Sequence, residues 1–479
     1  MSGSGGDGGA SGEAGGGDAT ASGGVAGVTT VGNGGSGSNA GSGAVAGASG
    51  AGNCGPLAVT PCPATTVTQL AAGGGTVCAL FFSGKVKCWG ANHDGELGYG
   101  NTQNIGDDEL PSAVGYVNVS SSPGVVVKQI SVGNTHACAL LSDGTVSCWG
   151  KNLFGELGYG DLHNIGDDEL PSSVNAISVT STPGVTVTQI SAGGTHTCAL
   201  LSDGTIKCWG YNGYGQLGSA NADNIGDDEL PGSVPAVSVS TTPGVTVTQI
   251  SAGLDHTCAL LSDGSVKCWG ANQFGQLGRG SSNNLRDPLL PSTAAAIPLT
   301  TKPGVVATAI QASVYVSCAL LSDGTIKCWG DGAMGLVGTG KTEPVLEPSS
   351  VGPVSVTNDP GLTVTEVANG TSHICVRLSD GSCKCWGANV YGQLGYGNTN
   401  TIGDDELPSS VGAVSVSTIP SLKIVQLVAG SSFNCALLSD DSVKCWGDNG
   451  VGELGNGKKD GYAVGDDELP ASVGPVKLL

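Results

Sequence analysis

The chain is short of the features that mark several large functional classes. Its 479 residues contain no apolar run of 18 or more, so nothing in it reads as a membrane-spanning helix. Lys and Arg number 18 against 40 Asp and Glu, and a net charge of −22 leaves too few cations to neutralise a phosphate backbone or an anionic bilayer. Nucleic acid is therefore not an expected partner. Aromatic residues number only 21, and no segment repeats with a helical period. HExxH, nucleophile-elbow and phosphate-cradling signatures are missing as well, which leaves enzymatic chemistry without a visible carrier. What the chain does have is glycine, 83 residues, and cysteine, 17.

Residues 1–53 form a regime of their own, with 21 glycines, mostly small residues between them, and no Lys or Arg. Such a segment buries too little apolar surface to offset the entropy of ordering it, and reads as a disordered tether with an r.m.s. reach of roughly 40 Å. It has neither the basic nor the apolar region of an export signal. Fourteen of the cysteines nevertheless pair at a constant separation of ten: Cys78/Cys88, Cys138/Cys148, Cys198/Cys208, Cys258/Cys268, Cys318/Cys328, Cys375/Cys385 and Cys435/Cys445. None has metal-site CxxC spacing, so disulfides in an oxidising compartment are the expectation, with metal or reduced thiols the alternative. A chain beginning downstream of a removed signal, even one ending at a lipid-bearing Cys, reconciles the two; a mis-assigned start is the rival reading.

A Trp follows the second cysteine of each pair, at 89, 149, 209, 269, 329, 386 and 446, with intervals of 60 except for one of 57. A fixed period of this length marks a repeat architecture in which each unit covers its neighbour's face. Each unit is a series of short β-branched runs bounded by Gly, Asp and Pro, as in Val185 to Ala192, His196 to Leu201 and Thr205 to Gly210. Four short strands in each of seven units over residues 54–479 predict an all-β, seven-bladed propeller. The Ser142-Asp143-Gly144 turn suits a three-residue hairpin that pairs Leu141 with Thr145 and places Cys138 opposite Cys148. At a non-hydrogen-bonded site the Cα atoms approach to about 4.5 Å, within reach of a disulfide. Cys54 and Cys62 are expected to bridge each other. Cys383 takes the place of Val146 or Ile206 and reads as a small buried hydrophobe, with exchange against Cys385 as the rival. Either Leu57–Thr60 or Val473–Leu479 could supply the strand that closes the ring.

The recurring His-x-Cys-Ala-Leu-Leu-Ser-Asp-Gly-x-x-x-Cys-Trp-Gly-x-x-x-x-Gly-Gln-Leu-Gly string resembles the repeat of the regulator of chromosome condensation family, over roughly 64–479. The resemblance implies seven blades of four strands, and its cysteines look like those of exported bacterial members. It also implies two activities. One is nucleotide exchange on a small GTPase combined with chromatin binding, against which stand a tether without basic residues and repeats without an inserted wedge. The other is inhibition of an enzyme through an aromatic-rich face, for which 21 aromatics are too few once seven Trp are given to the repeat.

Among candidate site residues, His136, His196, His256 and His373 share one position with Thr76, Val316 and Phe433, which argues for a packing slot over catalysis. Lys87, Lys207, Lys267, Lys327, Lys384 and Lys444 each precede the second Cys and are expected on the blade surface. The motif Ile-Gly-Asp-Asp-Glu-Leu-Pro, with Val464 for Ile in its last copy, places Asp107, Asp108, Glu109; Asp167, Asp168, Glu169; Asp227, Asp228, Glu229; Asp404, Asp405, Glu406; and Asp466, Asp467, Glu468 in equivalent loops. Those acids read as a solvated rim on one face, with calcium binding or direct partner contact as alternatives; no loop has the alternating spacing of a calcium loop, and no other cofactor is expected. The rim is broken in blades four and five, where Arg279, Arg286, Lys341 and Val345 form a candidate docking patch for a protein partner. The sequence thus predicts a monomeric, non-catalytic interaction scaffold, extracytoplasmic and secreted or held at a bacterial cell surface. The alternatives are a guanine-nucleotide exchange factor and a hydrolase acting at the central channel.

Overall fold

The computed structural model describes residues 62–283, 290–458 and 462–479. The tether over 1–53, Cys54, Leu57–Thr60 and Arg286 lie outside these residues. Seven antiparallel sheets, each continuous in sequence, follow one another along the chain, with no α-helix among the described residues. In blade 2 the inner strand is Val127–Val132, the middle strand His136–Leu141 and the outer strand Val146–Gly150. The middle strands are almost continuously apolar because a neighbouring blade covers each of their two faces.

Each blade has three strands, not four. The segment expected as the fourth makes one bridge, as between Val117 and Val86, where the Val117 N–H donates to the Val86 carbonyl at 2.8 Å. The reason lies in how the outer strand's edge is filled. In blade 1 the Val86 carbonyl takes Val117, the Cys88 N–H and C=O both bond the Tyr99 hydroxyl, and Gly90 bridges Ile105. In blades 1, 2, 4 and 6 a side chain therefore occupies the middle of the edge that a fourth strand would have paired, and the edge is protected without one.

The lysines expected on the surface are buried instead. Lys87 Nζ donates to the carbonyls of Pro111 (3.0 Å) and Val114 (2.9 Å), holding the short 3₁₀ turn Pro111–Ala113 against the blade. Burial lowers the pKa of this ammonium and of its counterparts Lys207, Lys267, Lys327, Lys384 and Lys444.

Leu141 N–H meets the Thr145 carbonyl at 2.9 Å, Gly144 takes the left-handed conformation at φ 84°, and Cys138 faces Cys148 with Cα atoms 4.0 Å apart. The other six pairs are closed in the same way, with Cα atoms 4.0–4.1 Å apart: Cys78 to Cys88, Cys198 to Cys208, Cys258 to Cys268, Cys318 to Cys328, Cys375 to Cys385 and Cys435 to Cys445. The strands approach slightly closer than the 4.5 Å expected of an open pair. Cys62 is also disulfide-bonded, and its expected partner Cys54 lies outside the described residues. Cys383 is a free thiol, buried and raised to about 12.

Three sets of side chains join one blade to the next. Gln69 donates to the Ile130 carbonyl (2.7 Å) and accepts from the Ile130 N–H (3.1 Å), and the glutamines at 129, 189, 249 and 426 repeat this exchange. The Trp149 indole N–H donates to the Glu96 carbonyl of the preceding blade at 2.8 Å. His136 Nε2 lies 2.8 Å from Thr197 Oγ1 of the following blade. The same devices close the ring. Gln426 bonds Leu70, Trp89 donates to the Glu453 carbonyl (2.9 Å) and the Gly457 N–H to the Gly106 carbonyl (3.0 Å). The C-terminal segment pairs within its own blade, Val476 to Val443, and reaches blade 1 through a side chain and not as a strand, the Leu478 carbonyl accepting from Lys87 Nζ at 2.8 Å. Ring closure thus rests on side chains and loops, with no strand exchanged among the described residues.

Candidate functional site

The end of each outer strand faces the start of its middle strand, as Gly150 faces His136, so the loop after each Trp emerges beside the turns that surround the axis. The channel mouth there is narrow, with room for ≈ 50 Å³, and is lined by residues such as Gly74, Asn134, Gly194, Leu254, Val314 and Ser431. Among the described residues no titratable side chain lines it. Backbone bonds run between the blades around it, from Gly194 N–H to the Gly253 carbonyl and from Leu254 N–H to the Ser313 carbonyl, both 3.0 Å.

The paired cysteines bring no reactive group to this site. Cys328 and Cys445, like the second cysteines of the other blades, are buried in the outer strands with their sulfurs consumed in disulfides, and none reaches the channel mouth. They are staples of single blades, not ligands or nucleophiles.

The four histidines do not reach the channel as reactive groups either. Thr197 Oγ1 donates its own proton to the Glu156 carbonyl at 2.9 Å, so it must accept from His136 Nε2–H, which fixes the tautomer. Thr257, Ser317 and Asn434 serve His196, His256 and His373 in the same way. Burial holds all four neutral, their pKa values lowered to about 4, 3, 3 and 4 in chain order. They are packing groups that bond blade to blade.

Each acidic triplet comes together with one ligand-capable oxygen per residue within 4.8 Å. Burial, and then the neighbouring aspartates, raise Glu109 and Glu169 to about 7; Glu229, Glu406 and Glu468 are raised by the same causes. The loop also has a packing role. A Cβ added to Gly95 would lie 2.4 Å from the Asp167 amide nitrogen, so only glycine lets the loop of one blade seat on the acidic loop of the next.

The basic sector divides. Arg279 is half-buried and donates to the Cys268 carbonyl at 2.9 Å, standing where Tyr99 stands in blade 1. Val345 is only 6% exposed and bridges Gly330, in the position held by Ile105 elsewhere. Lys341 is exposed, beside a cleft at the edge of blade 5. These residues therefore do not meet on one open surface: two of them complete their blades.

What sequence reasoning missed is an aromatic arc on the channel-mouth face, in the loops outside the mouth itself. The residue five after the repeat Trp is Phe154, Tyr214, Phe274, Met334 or Tyr391 in blades 2 to 6, a fixed offset that could have been read directly. Phe154 packs on Tyr211 of the next blade (ring centroids 4.8 Å), and Tyr211 meets Tyr214 edge-on at 6.2 Å. Phe274 packs on Tyr315 of the next blade at 4.4 Å. Gly275 abuts Leu346, between Glu343 and Glu347, where other blades present the Asp-Asp-Glu loop, so the sector without that triplet coincides with this second pair. Met334 and Val390, 57% and 67% exposed, extend the arc. The scarcity of aromatics concealed how they are concentrated.

Comparison with known proteins now decides the family. The model of the RCC1-like domain matches residues 178–474, and models of the regulator of chromosome condensation (RCC1) repeat match residues 67–96, 127–156, 83–140 and 143–200. The chain belongs to the RCC1-like domain family. Over 398 residues this RCC1-like chain is 28% identical to the ultraviolet-B receptor UVR8 of Arabidopsis thaliana, covering 83% of the chain and 80% of the receptor. It is 29% identical over 384 residues to the human E3 ubiquitin-protein ligase HERC2, covering 79% of the chain but only 7% of the ligase. Its fold is that of yeast RCC1 (Prp20) in the crystal structure with Kap60, at TM-score 0.58 and 22% identity over 77% of this chain and 79% of that one. Human WBSCR16 also matches at TM-score 0.58, with 19% identity over 79% of this chain and 90% of that one. The architecture is thus the RCC1-like β-propeller. Among the described residues no helix is long and apolar enough to cross a membrane.

Proposed function

We propose that this RCC1-like propeller is a non-catalytic platform that binds a protein partner through its channel-mouth face, as an exported bacterial protein of the secreted or surface-held kind. The observation that carries the reading is the aromatic arc centred on the exposed Phe274 and the half-buried Tyr315, in the sector where Leu346 stands in place of an Asp-Asp-Glu loop. Large, stiff aromatic rings supply contact area at little entropic cost and are enriched at interface hot spots. Among the described residues the ≈ 50 Å³ channel mouth is lined without a titratable side chain, which favours a platform over the hydrolase reading. The seven cysteine pairs support an oxidising location. The yeast RCC1 structure is a complex with another protein, Kap60, which agrees with a protein partner for this chain.

The test is a pull-down from the native envelope with wild type, Phe274→Ala/Tyr315→Ala, and Ile419→Ala, whose exposed side chain lies in a loop at the hairpin end of the blades. A partner retained by wild type and Ile419→Ala but lost from the double variant supports the platform; equal recovery by all three overturns it. Nucleotide exchange on a small GTPase is the second reading, assayed directly by release of labelled GDP.

A further inference from the structure

Blade 3 is one of four blades without a tyrosine at one position on the outer edge; blades 4, 5 and 7 carry Arg279, Thr339 and Asn456 there. In blades 1, 2 and 6 the residue two after the repeat Leu is Tyr99, Tyr159 or Tyr396. Each hydroxyl accepts from the second cysteine's N–H at 3.1–3.2 Å and donates to the same residue's carbonyl at 3.0–3.1 Å. Blade 4 reaches that carbonyl with Arg279. Blade 3 has Ser219, whose hydroxyl is engaged inside its own loop with Asn212 (2.9 Å) and Asn221 (3.3 Å).

A cleft at this edge holds ≈ 410 Å³ in blade 2, where Tyr159 forms part of its wall, and widens to ≈ 550 Å³ in blade 3, where Ser219 leaves out the ring and Cys208, Leu217, Ile225, Val237 and Leu290 line it. Val237 registers the loss: it is half-buried, whereas Val117 and Ile177 at the same position are buried. Cys208, the counterpart of the residues whose N–H and C=O the tyrosine hydroxyls meet in blades 1, 2 and 6, is among the residues that line this cavity.

We propose that the cavity of blade 3 is a binding site for a para-hydroxyphenyl group. The ring would lie against Ile225 and Val237 while the hydroxyl bridges the Cys208 N–H and C=O, in the pose this chain's own tyrosines adopt in three other blades. The chemistry selects for a phenol because an adjacent donor and acceptor call for one group that both accepts and donates. A carboxylate would leave the carbonyl unpaired and face Glu229, and an ammonium would leave the N–H unpaired. The phenol comes either from a tyrosine on a partner segment or from a free small molecule. The site lies on the outer edge of the blade and does not depend on the channel-mouth reading.

The test follows the methyl resonances of Val237 and Ile225 while the full chain is titrated with p-cresol, with N-acetyl-tyrosinamide and with toluene. Saturable shifts with p-cresol, and binding of toluene weaker by roughly fivefold for want of the hydroxyl, are expected. Ser219→Tyr should fill the site from within and abolish the shifts. Tyr159→Ser should open the same site in blade 2 and make Ile177 respond, which keeps the test alive if Ser219→Tyr fails to fold. Shifts with N-acetyl-tyrosinamide point to a residue-borne phenol, and shifts with p-cresol alone to a free one. Either supports the site. Unmoved Val237 and Ile225 with both phenols, or unaltered binding in Ser219→Tyr, overturns it.

Discussion

Arg377 Nε donates to Glu366 Oε2 at 2.9 Å across two paired strands of blade 6, at the positions that Gln129 and Leu140 hold in blade 2. The same carboxylate oxygen accepts the Leu427 N–H of the next blade at 3.2 Å, so Glu366 takes over part of the glutamine's inter-blade role. Burial raises its pKa and the Arg377 guanidinium opposes that shift. Arg377→Leu should destabilise the chain by about 3–5 kcal/mol, because it leaves a buried carboxylate unpaired. Glu366→Gln/Arg377→Leu, which restores the sister-blade pair, should recover most of that loss. A chemical-denaturation cycle checks both values, and simple additivity of the two changes would refute the coupling.

The buried histidines make the propeller sensitive to acid. Their folded pKa values of about 3 to 4 lie below the ordinary value near 6.5, so the unfolded chain takes up protons that the folded chain refuses. This contribution to stability is complete above pH 6.5 and is lost progressively as the pH falls toward 4. His136→Gln/His196→Gln/His256→Gln should flatten the dependence of Tm on pH between 6.5 and 4, at the expense of a lower Tm at pH 7.5. An unchanged slope would remove the histidines from the acid response.

Glu453 works in the opposite direction. Its Oε2 accepts the Val451 N–H at 2.9 Å, as Gln216 Oε1 accepts the Tyr214 N–H in blade 3. Burial raises the Glu453 carboxyl to about 7, so its ionised form opposes folding above that pH. Glu453→Gln should stabilise the chain at pH 8 by about 1–3 kcal/mol, and the gain should fade as the pH falls toward 4.5, where the native glutamate is protonated. Urea denaturation at pH 8, 6 and 4.5 measures this directly.

The thiols supply a chemical test of the fold and of its location. In freshly isolated, non-reduced protein, iodoacetamide should spare Cys383 in the native state, because it is buried with its pKa raised. Denaturation without reductant should expose Cys383 while the seven pairs, from Cys78–Cys88 to Cys318–Cys328 and Cys435–Cys445, stay closed. Cys198→Ser/Cys208→Ser should cost about 2–3 kcal/mol, the value expected for a loop of some ten residues. Alkylation of the paired cysteines without reductant would remove the support for an oxidising compartment.

The strands, their turns and the pairing of the cysteines were legible because each depends on neighbours within a few residues. Ser142-Asp143-Gly144 fixes the hairpin register, and that register brings Cys138 to Cys148. The Trp interval gave the number of blades for the same reason. The fourth strand was misjudged because nothing local reveals that a tyrosine hydroxyl already serves Cys88 at the edge. The lysines looked superficial because the carbonyls that receive them, such as Pro111, lie 24 residues away.

Taken alone, then, the order of residues determined seven stapled β units and their family, since propensity, spacing and turn chemistry are short-range. Tertiary structure alone decided which side chains are spent on packing and which remain free. Arg279 and Val345 complete their blades, His136 joins Thr197 across 61 positions, and Phe274 meets Tyr315 across a blade boundary. Those outcomes depend on the closing of the ring, which sets residues a full repeat apart side by side and exposes or buries each according to its blade neighbours.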